Sequence, residues 1–325
     1  MGPDQEEDSL KRLSLRLAQL ALTVLVTWFL VNRVGLGLED LRTLEPAAWT
    51  PDRPLLLGVS CLSLFAGYYL SAALWARIVV GLGGPRLPVF EAVRLFMIAN
   101  LGRYVPGKVW QIAGLAVLAR GRGVSPATAT GAAVLGQGVA LVAASVVGVW
   151  ALLDGPEPLR SWGLGVALLL AGALAVGALP PVFRRFVALG FKLVRREPPR
   201  ALASRIVMGW LVLYVVNWAL YAASFSLLVT SFGHPGLTPA VASSFAAAYV
   251  LGYLAVFAPA GIGIREAFLV TFLTPHLGVG AAGAMAVVAR LWATVVEAVP
   301  AAAFWMRHVA SSSAEGAHPP EDAGE

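Results

Sequence analysis

The sequence predicts an all-α, polytopic integral membrane protein of two inverted-topology halves, each with a Pro/Gly-broken re-entrant helical hairpin. Three observations carry that prediction. Of 325 residues, 58% are hydrophobic and 13% charged, and the mean hydropathy is +0.76, whereas a soluble chain carries about a quarter of its residues as charges to cover its surface. Apolar runs long enough to cross about 30 Å of hydrocarbon recur along the chain. Two further apolar tracts are interrupted near their centres by Pro and Gly. A soluble enzyme with one apolar core is excluded on these grounds.

The first predicted span, 13–31, follows a charged start containing Lys11, Arg12 and Arg16. No small-x-small site follows at Asn32-Arg33-Val34, so an uncleaved span is expected rather than a removed signal. Position 6 is Glu, so Gly2 is not expected to carry a myristoyl chain. Further spans are predicted at 55–80, 126–153, 161–182, 206–231 and 280–306. The tract 88–120 is split at Val105-Pro106-Gly107, and the tract 239–275 at Pro259-Ala260-Gly261, with Gly263 close behind. Each reads as two half-helices. Broken backbone at membrane depth leaves amides and carbonyls unpaired, so it survives only against protein or a water-filled cavity. The halves are set at 1–155 and 156–310, followed by a disordered cytoplasmic tail at 311–325. The lone Cys61 forms no internal disulfide.

Orientation follows from Lys and Arg. With the N-terminus inside, 15 of the 24 fall in cytoplasmic segments and four, Arg33, Arg42, Arg53 and Arg160, in outside loops. That bias predicts a plasma-membrane or inner-membrane protein with both termini cytoplasmic. The basic segment 184–205 is expected at the inner surface, against anionic lipid or solvated. Topology accounts for the net charge of +6, and no nucleic-acid partner is expected.

An internal repeat organises the spans. The stretch from Gly123 to Trp150 aligns with that from Gly278 to Trp305 at an offset of 155. Carried backwards, the offset pairs 55–80 with 206–231, which run in opposite directions in this topology. Inverted repeats of this kind build a central transporter site from discontinuous helices, with the two breaks meeting near the midplane.

Five bases and three acids then lie within apolar tracts: Arg94, Arg103, Lys108, Arg265 and Arg290, with Glu91, Glu266 and Glu297. Each costs about 2.5–3.5 kcal/mol to insert unless paired. Glu91 and Arg94 share a helix face at three residues apart, and Arg290 and Glu297 at seven, which offers local structural pairs. Arg103, Lys108, Arg265 and Glu266 bracket the Pro-Gly breaks, where half-helix amides add to cationic side chains, and an anion is the natural ligand. The bland alternatives are interfacial snorkelling for Arg103 and Lys108 and a structural pair for Arg265 and Glu266. Tyr104, Trp110, Tyr249 and Tyr253 line a groove or serve as belt anchors. His234, His276, His308 and His318 are scattered, with no His-Glu-x-x-His, and no Gly-x-x-x-x-Gly-Lys-Ser/Thr occurs; neither a metal nor any other cofactor is expected.

The segments GRYVPGKVWQIAGLAVLARGRGVSPATATGAAVL (102–135) and APAGIGIREAFLVTFL (258–273) resemble the transmembrane domain of the lysylphosphatidylglycerol synthase/flippase family, also described as a family of uncharacterised integral membrane proteins. The resemblance covers most of 10–308. Arg103, Pro106, Gly107, Gly123 and Ser125 match its first motif. Pro259, Gly261, Gly263, Arg265, Glu266 and Ala267 match its second. Members usually carry Glu followed by Arg or Gln in the helix after Gly-Val-Ser; here Gly136-Gln137 stands there, offering hydrogen bonds and no charge. The resemblance implies lipid translocation. Lysyl transfer is not implied, since no aminoacyltransferase domain is expected in the chain.

The reading is a flippase-like transporter that moves an anionic lipid, a glycerophospholipid or a polyprenyl-phosphate-linked lipid, between leaflets. Substrate-binding candidates are Arg103, Lys108, Gln111, Gln137, Arg265 and Arg290, with Glu266, Glu297 and Glu91 balancing charge. The alternative is a membrane-embedded lipid-handling partner or catalytic subunit of a glycosyl- or aminoacyl-transferase. No constellation of acid and base points to catalysis.

Overall fold

The structure, a computed structural model, describes residues 50–104, 110–157, 159–178, 185, 204–254 and 263–315. Among these residues all regular structure is helical: α1 (Pro54–Gly81), α2 (Val89–Asn100), a 3-10 turn (Leu101–Tyr104), α3 (Trp110–Arg120), α4 (Pro126–Leu153), α5 (Leu159–Ala178), α6 (Ser204–Ser231), α7 (Pro239–Leu254), α8 (Ile264–Leu277) and α9 (Val279–Glu315). Helices α1, α4, α6 and the Val279–Phe304 portion of α9 are long and apolar enough to cross a membrane. The span predicted at 13–31, the Pro-Gly breaks at 105–107 and 259–261 and most of the loop 183–205 lie outside the described residues. Helix α9 runs to Glu315, past residue 310 where the second half was expected to end.

Local chemistry explains where the helices start and stop. Ahead of α4, Gly123 takes φ +76° and Ser125 caps the helix, its Oγ accepting the Thr128 N–H at 3.1 Å with Pro126 in the first turn. A positive-φ glycine also precedes α9, where Gly278 takes φ +78°. The interrupted tracts do form paired short helices. Eleven residues of α3 rise about 16 Å, and the 16 of α7 and 14 of α8 about 24 and 21 Å. None of these three alone spans about 30 Å of hydrocarbon.

Polarity is arranged for lipid. Leu62 on α1, Leu164, Leu168 and Leu169 on α5 and Val295 and Val299 on α9 are exposed, while Ser60, Asn100, Asn217, Ser224, Ser244, Glu266 and Glu297 are buried. Buried hydroxyls such as Ser224 and Thr230 bond to carbonyls one turn back, which satisfies them inside their own helix.

Helices α1 and α6 form the centre. The Arg53 N–H donates to the Ser231 carbonyl (3.0 Å), Ser60 Oγ to the Ser224 carbonyl (2.7 Å) and Asn217 Nδ2 to Ser71 Oγ (2.8 Å), while Gly81 lies against the Trp210 ring. Numbers rise along α1 as they fall along α6, so the two helices are antiparallel.

Around this pair the packing is doubled. Helix α1 contacts α2 as α6 contacts α7; α2 contacts α3 as α7 contacts α8; α3 contacts α4 as α8 contacts α9; and α2 contacts α9 as α7 contacts α4. Backbone detail follows the same scheme, for the positive-φ glycines include Gly83 and Gly233, 150 apart, and Gly123 and Gly278, 155 apart. The offset read from the sequence is 155; the first of these pairs is spaced by 150 and the second by 155.

Candidate functional site

The second break is the better defined. Gly263 takes φ +90° at the start of α8, and Glu266, in the third position of the helix, accepts its N–H through Oε2 at 2.9 Å. The other carboxylate oxygen, Oε1, accepts from Arg290 Nη1 of α9 at 3.3 Å. Glu266 is only 8% exposed and the Arg290 side chain is partly exposed, so this pair is a half-buried clamp that ties the half-helix to the long span beside it.

Arg265 points elsewhere. Its Cζ lies 4.6 Å above the centroid of the Phe245 ring on α7. Phe245 is itself held by a stacked Phe225 (5.2 Å) and an edge-on Trp292 (5.7 Å). Gly252 makes the approach of α7 to α8 possible, since a Cβ there would lie 2.8 Å from Arg265 Cβ. Glu266 is the leading favourable electrostatic neighbour of the guanidinium, ahead of Tyr68 and Tyr249, and Arg290 opposes it. Among the described residues no carboxylate comes within ion-pair distance of Arg265. The geometry departs from two sequence readings: the ion pair of Glu266 is with Arg290, Glu266 acting on Arg265 only at longer electrostatic range, and Arg290 reaches across to α8 rather than along α9 to Glu297. Consecutive helical residues diverge by about 100° around the axis, so Arg265 and Glu266 face different neighbours.

Beside Arg265 runs an aromatic and amide surface. Gln137 of α4 donates through Nε2 to the Tyr249 hydroxyl at 3.0 Å. Tyr249 packs on Trp218 (4.7 Å) and on Tyr253 (6.1 Å). Tyr249 and Tyr253 thus join one cluster on α6 and α7, which the sequence reading left open between groove and belt. Ser71 Oγ and the Tyr221 hydroxyl lie 2.9 Å apart next to it.

The first break has different chemistry. Gln111, at the start of α3, donates through Nε2 to Oδ1 of Asn100 at the end of α2. Gly102 is packed on the backbone of Trp110 and Gln111, where a Cβ would come within 2.8 Å. The main chain of Arg103 lies in the 3-10 turn; Lys108, Pro106, Gly107, Pro259 and Gly261 lie outside the described residues.

Glu91 is not gathered into either break. It sits in the first turn of α2, about 16 Å of helix away from Gly102, bound to Arg94 at 3.7 Å as predicted and to Arg122 at 2.6 Å. Glu297 is 2% exposed, about two turns along α9 from Arg290. Sequence reasoning missed Phe245, Asn100, Gly102 and Gly252. Phe245 is one of many aromatics in an apolar run, while the two glycines carry a signal, since they lie 150 apart. Among the described residues no cluster of His, Cys, Asp or Glu is arranged to hold a metal ion.

A family model described as Lysylphosphatidylglycerol synthase TM region matches residues 16–300. No curated protein matches the chain.

Proposed function

For a chain that belongs to the lysylphosphatidylglycerol synthase transmembrane-region family, we propose that its work is to carry an anionic lipid between leaflets, with Arg265 as the residue that receives the phosphate. The observation carrying this reading is the division of labour at the second break. Glu266 neutralises Arg290, while Arg265 rests on an aromatic face. A π face steadies a guanidinium without saturating its N–H donors, so they stay available to the planar, bidentate contact that phosphate makes.

The matched packing of the two halves and the antiparallel course of α1 and α6 support an inverted repeat. Ser71 and Tyr221 are 150 apart and in hydrogen-bond contact, and a residue meets its own counterpart only at the axis relating two copies. Antiparallel helices across such an axis require it to lie in the membrane plane, the arrangement in which two half-spanning tracts enter from opposite sides. The 15-to-4 distribution of Lys and Arg favours both termini in the cytoplasm of a cell-membrane protein.

The test is headgroup-labelled lipid accessibility in proteoliposomes, beside a thermal shift on the same preparation. Arg265→Gln is expected to cut movement of an anionic lipid at least about ten-fold, a loss of about 1.4 kcal/mol or more of binding, with little change in Tm. Wild-type transport in Arg265→Gln removes the phosphate from this site. Cysteine labelling is expected to reach 232–238 only from outside and residue 195 only from the cytoplasm; the reverse pattern overturns the orientation.

A further inference from the structure

We propose that the Tyr249 hydroxyl is a second contact to the lipid phosphate, donating beside Arg265, and that Gln137 is the positioning residue that leaves its proton for that contact. This inference deepens the lipid-translocation reading and rests on it. Helix α7 sets the geometry. Phe245, Tyr249 and Gly252 follow at i, i+4 and i+7, on one face of the helix. Arg265 lies along that face, since a Cβ at Gly252 would be 2.8 Å from its Cβ while its Cζ sits 4.6 Å above the Phe245 ring. Its side chain therefore runs past Tyr249, which is among the favourable electrostatic neighbours of the guanidinium. One helical turn, about 5.4 Å, separates Tyr249 from the ring under the guanidinium. Hydrogen bonds of about 2.7–2.9 Å to two oxygens of a single phosphate bridge donors that far apart.

Counting donors and acceptors identifies the ligand. A hydroxyl has one proton to give and two lone pairs to receive with. Gln137 Nε2 donates to the Tyr249 hydroxyl oxygen at 3.0 Å, which occupies a lone pair and leaves the proton without an acceptor among the described residues. The Arg265 guanidinium likewise makes no hydrogen bond to a described residue. Packing against Trp218 at 4.7 Å and Tyr253 at 6.1 Å holds the Tyr249 ring, so its hydroxyl is not at liberty to turn to another partner. Glu266 does not take up these donors, because one of its oxygens already accepts from Gly263 and the other from Arg290. Gln137, Tyr249 and Arg265 are each partly exposed, so the donors reach an open surface. Adjacent donors with no acceptor of their own select an anion, and phosphate, lipid-borne or free, has the oxygens to meet both.

The test follows acyl-labelled phosphatidylglycerol in proteoliposomes of the full chain, beside a thermal shift on the same preparations. Tyr249→Phe keeps the ring and removes only the hydroxyl; it is expected to slow lipid movement about ten-fold, the worth of one hydrogen bond to a charged group, with little change in Tm. Gln137→Leu is expected to slow it about three-fold in the wild-type chain and not at all in the Tyr249→Phe chain, since a residue acting through the hydroxyl has nothing left to act on. A wild-type rate in Tyr249→Phe overturns the contact, and so does failure of that variant to fold, which makes the hydroxyl a structural group. Additive losses overturn the positioning role of Gln137. Should Gln137→Leu fail to fold, Gln137→Asn, which withdraws the amide by one methylene, takes its place. Short-chain phosphatidylglycerol and inorganic phosphate, each added to detergent-solubilised protein, separate the two sources of phosphate. A rise in Tm with the lipid alone, diminished in Tyr249→Phe, supports the proposal; an equal rise with inorganic phosphate overturns the lipid source. Loss of movement in Arg265→Gln beside a wild-type rate in Tyr249→Phe sinks the second contact alone. Absence of lipid movement in wild type sinks the translocation reading, and the thermal shift then judges the contact by itself.

Discussion

The two breaks share a frame and differ in what fills it. In both, a glycine near the end of the first half-helix, Gly102 or Gly252, presses against the opening residues of the second. At the first break the polar contact among the described residues is amide to amide, Gln111 to Asn100; at the second it is a half-buried ion pair, Glu266 to Arg290, with Arg265 on Phe245 beside it. Close backbone packing is thus common to both breaks, whereas among the described residues the ion pair at a break is found at the second.

The largest expected effect separates the halves by function. Arg265→Gln should remove anionic lipid movement, whereas Trp110→Gln, at the corresponding position of the first half, should reduce it less than about three-fold in the same proteoliposomes. Equal losses would erase the functional difference.

The shared frame comes next. Gly252→Ala and Gly102→Ala should each destabilise by about 2 kcal/mol or more, because each new methyl would lie 2.8 Å from the facing segment, from backbone of Trp110 and Gln111 at Gly102 and from the Arg265 Cβ at Gly252. A thermal melt that moves for only one of them would show that the frame is not common to both.

The ion pair offers a finer test. Glu266→Gln should lower stability by about 1–3 kcal/mol, since it strands Arg290, and Arg290→Gln in the same chain should restore most of it. Transplanting the pair sharpens the comparison: Leu135→Arg alone should destabilise, and adding Gln111→Glu should recover much of the loss. No recovery would mean that the positions 155 apart do not face their neighbours alike. The smallest effect is expected from Ser125→Ala, which removes the cap of α4 at about 1 kcal/mol and leaves transport unchanged.

The long helices were legible from composition and punctuation. Helix α4 occupies Pro126–Leu153, the predicted 126–153, because Ser125-Pro126 starts it and Asp154-Gly155 follows its end. Both interrupted tracts were legible from Pro and Gly for the same reason. Partnerships were not. Spacing suggested Arg290 with Glu297 and adjacency suggested Arg265 with Glu266, yet the long arginine side chains choose partners on other helices, Glu266 and Phe245. Asn100 escaped because charge marked the candidates, and an uncharged amide in an apolar run shows its weight only when its burial and unmet hydrogen bond are seen.

The contact between Ser71 and Tyr221 bears on why both halves belong to one chain. Where two identical subunits meet across a dyad, the residue on the dyad faces itself: two serines would leave a hole, and two tyrosines would collide. A single polypeptide holding both copies escapes that constraint and can set small against large. In the inverted-repeat reading the same freedom allows Arg290 to stand opposite Leu135, so that one charged clamp is held where a symmetric dimer would have to hold two.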